Sequence, residues 1–263
     1  MLDDIVKLPI GFMDSGLGGI SVLKAARSIM PAEDFIYYGD SAHAPYGTKD
    51  PSVIKELTFD VVKKLLDMGI KGMVVACNTA TSAAVRALRE EYPDLPLVGI
   101  EPAIKPAVED YNGGEILVLA TPMTIKQEKF KALLARYDAE AKIIPVQCGG
   151  LMEFVESGQV CGDVLDDYVG RVIAPYVNDK TETIVLGCTH YSFLRPHLRE
   201  YFGDRHISLI DGNLGTAKEI RRRLMVKDLL RDDKAYGDVT FYNSIAGDSM
   251  IELSKQLMNL DID

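Results

Sequence analysis

Two cysteines end two near-identical apolar runs, Val74-Val75-Ala76-Cys77-Asn78-Thr79 and Val185-Leu186-Gly187-Cys188-Thr189-His190. Each run reads as a buried strand that carries a thiol, then small polar residues, to its C-terminal end. In open α/β sheets that end is where ligands bind. One buried cysteine is ordinarily a small hydrophobe closing a core strand. Two in matched contexts point instead to one sulfur on each side of a substrate. Inverting a stereocentre by proton transfer needs that geometry: one group takes the proton from one face while another delivers a proton to the opposite face. Thiols suit the task because modest tuning makes either protonation state available near neutral pH. A helix start is expected after each cysteine and should lower its thiol pKa below the usual value of about 8.5.

Other groups gather at the same strand ends. Asp14-Ser15-Gly16-Leu17-Gly18-Gly19 follows an apolar run and opens a helix. Glycine backbone N–H groups at a helix N-terminus could seat a carboxylate or a phosphate. The run matches neither G-x-G-x-x-G nor a P-loop, so it gives little support to nucleotide binding. Asp14 fits an anion seat poorly. It makes better sense as a partner for an ammonium group or as a base near a thiol, the plain alternative being a tight turn capped by Asp. The loop from Gly39 to Lys49 can present backbone amides, including that of Gly47, and the Tyr46 hydroxyl. Ser15, Asn78, Thr79 and Thr189 offer donors for charge developing on a substrate carboxylate. His190 could give up a proton or stabilise a thiolate at Cys188. His43, His197 and His206 read as ordinary polar residues, and Cys148 and Cys161 lack the flanking pattern. No C-x-x-C pair occurs, so a structural zinc site is not expected.

The elements that must position these groups follow from periodicity. Short apolar runs at Leu8–Met13, Phe35–Tyr38, Met73–Ala76, Leu97–Ile100, Ile116–Leu119, Ile143–Val146, Ile184–Leu186, Ile207–Ile210 and Val239–Tyr242 read as strands. Between them, Ile54, Leu57, Val61, Val62, Leu65 and Leu66 form one helical stripe, and Ala80–Leu88, Lys126–Tyr137, Val164–Tyr176 and Ala217–Leu230 have similar character. Alternating strands and helices predict parallel sheets. The step from Asp14 to Thr121 is 107 positions and that from Cys77 to Cys188 is 111, which suggests a duplicated half. The expected fold is α/β, with two pseudo-symmetric domains, each a parallel sheet flanked by helices, and the site in the cleft between them. Residues 1–99 with 211–263 would form one domain and residues 100–210 the other.

Composition narrows the partners. The 263 residues carry a formal charge of −10, which argues against nucleic acid as the main partner. The basic run Arg221-Arg222-Arg223, with Asp228, Asp232 and Asp233 nearby, reads as a solvated helix face. Met1-Leu2-Asp3-Asp4 is acidic where a signal peptide would be basic, and no apolar stretch approaches the roughly 18–20 residues needed to span a membrane. A cytoplasmic protein with reduced thiols is expected.

At these residues the chain resembles the glutamate racemases of the cofactor-independent aspartate/glutamate racemase superfamily. The resemblance runs nearly end to end through Phe12–Gly19, Gly39–Lys49, Val75–Thr81, Gly99–Ala103 and Leu186–Tyr191. It implies interconversion of L- and D-glutamate without a cofactor, supply of D-glutamate for peptidoglycan and hence cell shape, and a homodimer. By position, Cys77 would deprotonate D-glutamate and Cys188 L-glutamate, with Asp14 and His190 as their helpers. Asp14, Ser15, Tyr46, Gly47, Asn78, Thr79, Thr189 and His190 map to substrate contacts, and a glutamate at Glu153 or Glu156 would assist on the His190 side. Ser41-Ala42-His43 stands where the family commonly has Thr-Ala-Arg, Ser192 where it has Pro, and Ile210-Asp211-Gly212-Asn213 departs from its usual Asp-Ser step. Three other readings compete. One is a racemase for aspartate or another acidic amino acid. Another is a hydrolase using Cys188 and His190 as nucleophile and base, although residues two apart on a strand should point apart. The third is a two-lobed carboxylate binder with dispensable thiols.

Overall fold

The computed structural model describes residues 2–203, 205–231 and 236–262. Met1, Asp232 and Asp233 lie outside the described residues. Among the described residues nine strands form, one at each apolar run: β1 (Ile10–Asp14), β2 (Phe35–Gly39), β3 (Gly72–Val75), β4 (Leu97–Gly99), β5 (Glu115–Ala120), β6 (Ile143–Gln147), β7 (Thr181–Leu186), β8 (Ser208–Asp211) and β9 (Val239–Asn243). They make two sheets, ordered β4-β3-β1-β2-β9 and β6-β5-β7-β8, in which every pairing is parallel.

Read backwards, the second sheet is β8-β7-β5-β6, which repeats the β4-β3-β1-β2 order of the first. Cys77 and Cys188 therefore follow equivalent strands, β3 and β7. Asp14, the last residue of β1, has its counterpart in Thr121, which follows β5. Among the described residues β9 has no counterpart; it extends the first sheet beside β2.

Continuous apolar runs suit strands covered on both faces. All five residues of β1 and all four of β3 are buried. Ile10, Phe12, Val74 and Ala76 pack to one side, and Met13, Met73 and Val75 to the other. The first of these clusters does not stop at the lobe boundary. It joins Leu17 and Ile20 to Leu151, Val155, Leu186, Tyr191 and Phe193 of the second sheet's layer. A shared core thus turns the C-terminal ends of both sheets toward each other.

Helices cover the outer faces. Pro51–Asp67 starts at Asp50, whose carboxylate accepts from Ser52 N–H at 2.9 Å, and buries Ile54, Val61, Val62 and Leu65. The helix expected over Lys126–Tyr137 is broken at Gln127, whose backbone is extended. Two helices, Pro122–Lys126 and Glu128–Ala135, stand in its place. The Val164–Tyr176 segment similarly divides into a helix at Asp163–Val172 and a 3-10 turn at Ala174–Tyr176. Arg222 and Arg223 both pair with Glu219 on their own helix, in keeping with a solvated face. Among the described residues no helix is long and apolar enough to cross a membrane.

Candidate active site

Where the two sheets face each other lies a pocket of about 310 Å³ of empty space. Its lining comprises Ser15, Tyr46, Gly47, Cys77, Asn78, Thr79, Cys188, Thr189 and His190, together with Thr121, Thr124 and Met152. Nine of the ten residues singled out from the sequence are thus brought together. Asp14 sits directly behind the wall, fully buried, and is bonded to two of its members. The side chain of Asp14 accepts from Ser15 Oγ at 3.3 Å, Gly16 N–H at 2.9 Å and Thr189 Oγ1 at 3.0 Å.

The two sulfurs have unequal surroundings. Cys77 caps the helix Asn78–Glu91, with its Sγ accepting from Ala80 N–H at 3.5 Å and lying 3.5 Å from Ser15 Oγ. Asn78 Oδ1, in the first turn of that helix, is buried and has no hydrogen-bond partner among the described residues. Cys188 leads into a 3-10 helix, Thr189–Leu194, and its Sγ is 3.7 Å from His190 Nδ1. The expectation that residues two apart point apart is overturned here, because the strand has ended and the tight turn brings both side chains to one side. Behind His190, Nε2 lies 2.6 Å from Glu156 Oε1. Of the two glutamates considered on this side, Glu156 reaches the site and Glu153 is exposed.

The glycine loop serves a different purpose from the one its sequence suggests. The carboxylate seated at its backbone is the protein's own: Leu17 N–H donates to Glu156 Oε1 at 2.7 Å. Small residues are needed because the second lobe presses onto the loop. A Cβ at Gly16 would collide with the Glu156 carboxylate, and one at Gly18 would strike the His190 ring and come within 2.5 Å of Thr189 Oγ1. The Tyr46 loop also departs from expectation in one detail. Its hydroxyl proton goes to Asp40 Oδ2 at 2.6 Å and so is not free to be donated to a ligand.

Sequence reasoning missed Thr121, Thr124 and Met152 as lining residues. The 107-residue step from Asp14 was a usable signal for Thr121, whose hydroxyl lies 2.9 Å from that of Thr124. Nothing marks Met152. The unusual Ser192 and Asp211-Gly212-Asn213 explain one another. Ser192 Oγ donates to Asp211 Oδ2 at 2.9 Å, Asn213 Nδ2 donates to Ser192 Oγ at 3.1 Å, and Arg195 pairs with Asp211. This cluster braces the 3-10 segment behind Cys188.

A family model described as Asp/Glu/Hydantoin racemase matches residues 19–220. The chain belongs to this family. A glutamate racemase from Clostridium botulinum (strain Langeland) is 48% identical over 252 residues, covering 96% of this chain and 97% of that protein. The crystal structure of glutamate racemase from Francisella tularensis in complex with D-glutamate superposes with a TM-score of 0.81. It is 27% identical, and 98% of this chain and 96% of that one are covered. The Escherichia coli glutamate racemase in complex with L-glutamate and the activator UDP-MurNAc-Ala gives a TM-score of 0.83 at 29% identity. Coverage there is 95% of this chain and 94% of that one.

In this family member burial dominates the electrostatics. It pushes the Cys77 thiol up to about 12; the charge of Asp14 pushes the same way, and the bonds from Ala80 and Ser15 only partly oppose it. The expected lowering by the helix N-terminus is therefore outweighed, because one long N–H···S contact cannot repay full desolvation. Burial also raises the Asp14 carboxyl, against the pull of His190 and its hydrogen bonds. On the other side, burial opposes the His190 cation, yet its bonds to Cys188 and Glu156 hold its pKa well above the usual range. Burial works to raise Glu156, and its bond to His190 wins and lowers it. All four cysteines are free thiols. Cys148 is buried and likewise pushed up to about 12 by desolvation, and Cys161 is exposed.

Proposed function

We propose that the protein interconverts L- and D-glutamate by two-base proton transfer, with Cys77 acting on D-glutamate and Cys188 on L-glutamate. One observation carries the reading: two thiols from equivalent strands of two facing sheets line the same pocket, each with its own proton-handling neighbours. In the L-to-D direction, Cys188 as thiolate takes the α-proton, which passes from carbon to sulfur. Cys77, held as thiol, returns a proton to the other face. The reverse direction exchanges the roles, and each turnover leaves the opposite thiol protonated. His190, whose cationic form is favoured by its bonds to Cys188 and Glu156, stabilises the Cys188 thiolate and can pass it a proton.

Asp14 and Cys77 are both held toward their neutral forms by burial, and both would be relieved by a positive charge. The α-ammonium group of the substrate supplies one. Its arrival favours the Asp14 carboxylate and brings the Cys77 thiolate within reach. Asn78 Oδ1, buried without a partner, is an acceptor suited to the same ammonium. Backbone amides around Tyr46, Gly47 and Thr79, with the hydroxyls of Ser15, Thr121 and Thr189, surround the space available to the two carboxylates.

We take residues 1–99 with 211–263 as one lobe and residues 100–210 as the other, a division that sheet membership supports except at Asp211, the last residue of β8. We also take the working form to be a cytoplasmic homodimer that feeds peptidoglycan synthesis, the state the family resemblance implies; light scattering tests the dimer. The function itself is tested by incubating each glutamate enantiomer with the protein in D2O. Loss of optical activity accompanied by α-deuteration is expected from both. Retention of configuration and of the α-proton would refute the reading, and faster turnover of aspartate would reassign the substrate.

A further inference from the structure

One buried carboxylate beside the pocket has no part in the proton transfers above. The Asp40 side chain is 2% exposed. Its Oδ2 accepts the Tyr46 hydroxyl at 2.6 Å, and His43 Nδ1 lies 2.9 Å from Oδ1 and 3.1 Å from Oδ2. Its backbone N–H donates to the Asp14 carbonyl at 2.9 Å, so the same residue ties the loop to the strand end that carries Asp14. A carboxylate taken out of water needs donors for its lone pairs. Among the described residues, the side chains that bond it are Tyr46 and His43, and of these only His43 can bring positive charge.

We propose that His43 is a positioning residue for substrate binding: through Asp40 it fixes Tyr46 and the adjoining Gly47 against the pocket. The inference rests on the glutamate-racemising function proposed above. Three features support it. First, the His43 side chain is 52% exposed, so its contact with a nearly inaccessible carboxylate is a choice of position and not a consequence of core packing. Second, the front of the loop is anchored separately: Asn243 Nδ2 donates to Ser41 Oγ at 2.9 Å and Ala42 N–H donates to Ser244 Oγ at 2.9 Å. Losing His43 therefore loosens the Tyr46 end without releasing the whole loop. Third, Tyr46 can keep its place only while Asp40 accepts its proton. An Asp40 left with one side-chain donor is held less firmly, and the phenol it anchors loses its fixed position.

The effect should fall on binding more than on chemistry, because Tyr46 and Gly47 line the pocket while, among the described residues, no hydrogen bond joins either Cys77 or Cys188 to the relay. Steady-state racemisation is measured for the natural protein, His43→Ala, His43→Arg, Tyr46→Phe and the His43→Ala/Tyr46→Phe double variant. In His43→Ala, KM for both enantiomers is expected to rise about tenfold, the loss of one half-exposed charge-assisted hydrogen bond, with kcat changed less than about threefold. His43→Arg, whose guanidinium can span both oxygens of Asp40, should restore KM. Once Tyr46→Phe has cut the relay, His43→Ala should add less than about a twofold change. An unchanged KM in His43→Ala, no rescue by arginine, or multiplicative effects in the double variant would each overturn the proposal. A second readout needs no turnover. The chain has four histidines, and the His43 imidazole 15N signals of the free protein should shift in Tyr46→Phe; unshifted signals overturn the proposal as well. If the natural protein turns over neither enantiomer but those signals do shift, the functional reading fails and the relay stands.

Discussion

Glu156→Gln removes one charge from the site while keeping its shape. Glu156 Oε1 accepts from both His190 Nε2, at 2.6 Å, and Leu17 N–H, at 2.7 Å, so the carboxylate joins the proton-handling pair to the glycine loop of the other lobe. A glutamine retains one acceptor oxygen but cannot balance an imidazolium. A charge-assisted hydrogen bond contributes about 1.5–3 kcal/mol, and losing one on the proton's path to Cys188 lowers kcat roughly 10- to 150-fold. The pH profile gives an independent check. Burial opposes the His190 cation, and Cys188 and Glu156 together overcome it. Without the Glu156 charge, burial regains weight, the imidazolium is lost at lower pH, and the alkaline limb of kcat moves downward. Circular dichroism of glutamate, followed from either enantiomer across pH, reads both effects. A kcat within about twofold of the natural protein's, with the alkaline limb unmoved, would refute the coupling of Glu156 to Cys188 through His190.

Three further outcomes are expected. Gly18→Ala drives a methyl into the His190 ring and toward Thr189; overpacking of this kind costs about 1–3 kcal/mol in a melt, and kcat should fall more steeply than stability because the displaced ring serves Cys188. Asp14→Asn should lose most activity yet melt no lower than the natural protein at pH 7. Burial raises the Asp14 pKa in the folded state, so its contribution to stability is greatest at low pH and declines as pH rises through the unfolded value of about 3.8 toward the folded one. Lys71→Met breaks a buried pair with Glu33, 2.5 Å apart and remote from the pocket; chemical denaturation should show a loss of about 3–5 kcal/mol, partly recovered in Lys71→Met/Glu33→Leu, with kcat unchanged.

The nine strands were legible because buried parallel strands are written as continuous apolar runs, and the two cysteines because they repeat in one context. The break at Gln127 was not, since Lys126–Tyr137 keeps helical composition across it and only the backbone shows the extended residue. The glycine loop was read as able to seat a carboxylate or a phosphate, but the carboxylate it holds was not identified. Glu156 lies 139 positions from Leu17, and a single sequence does not reveal which carboxylate folds back that far. The direction of the Cys77 shift failed for a related reason. The helix start that lowers a thiol pKa is local and readable, whereas the burial that outweighs it comes from packing of whole elements. Glu153 and Glu156 lie on one short helix, and the choice between them depended on which face meets the other lobe.

The central claim is that Cys77 and Cys188 serve opposite faces of one substrate. Cys77→Ala and Cys188→Ala, each shown to be folded by circular dichroism, should be tested separately for conversion of L-glutamate and of D-glutamate in D2O. Neither variant is expected to form the opposite enantiomer from either substrate. Racemisation at the natural rate by either variant would contradict the claim.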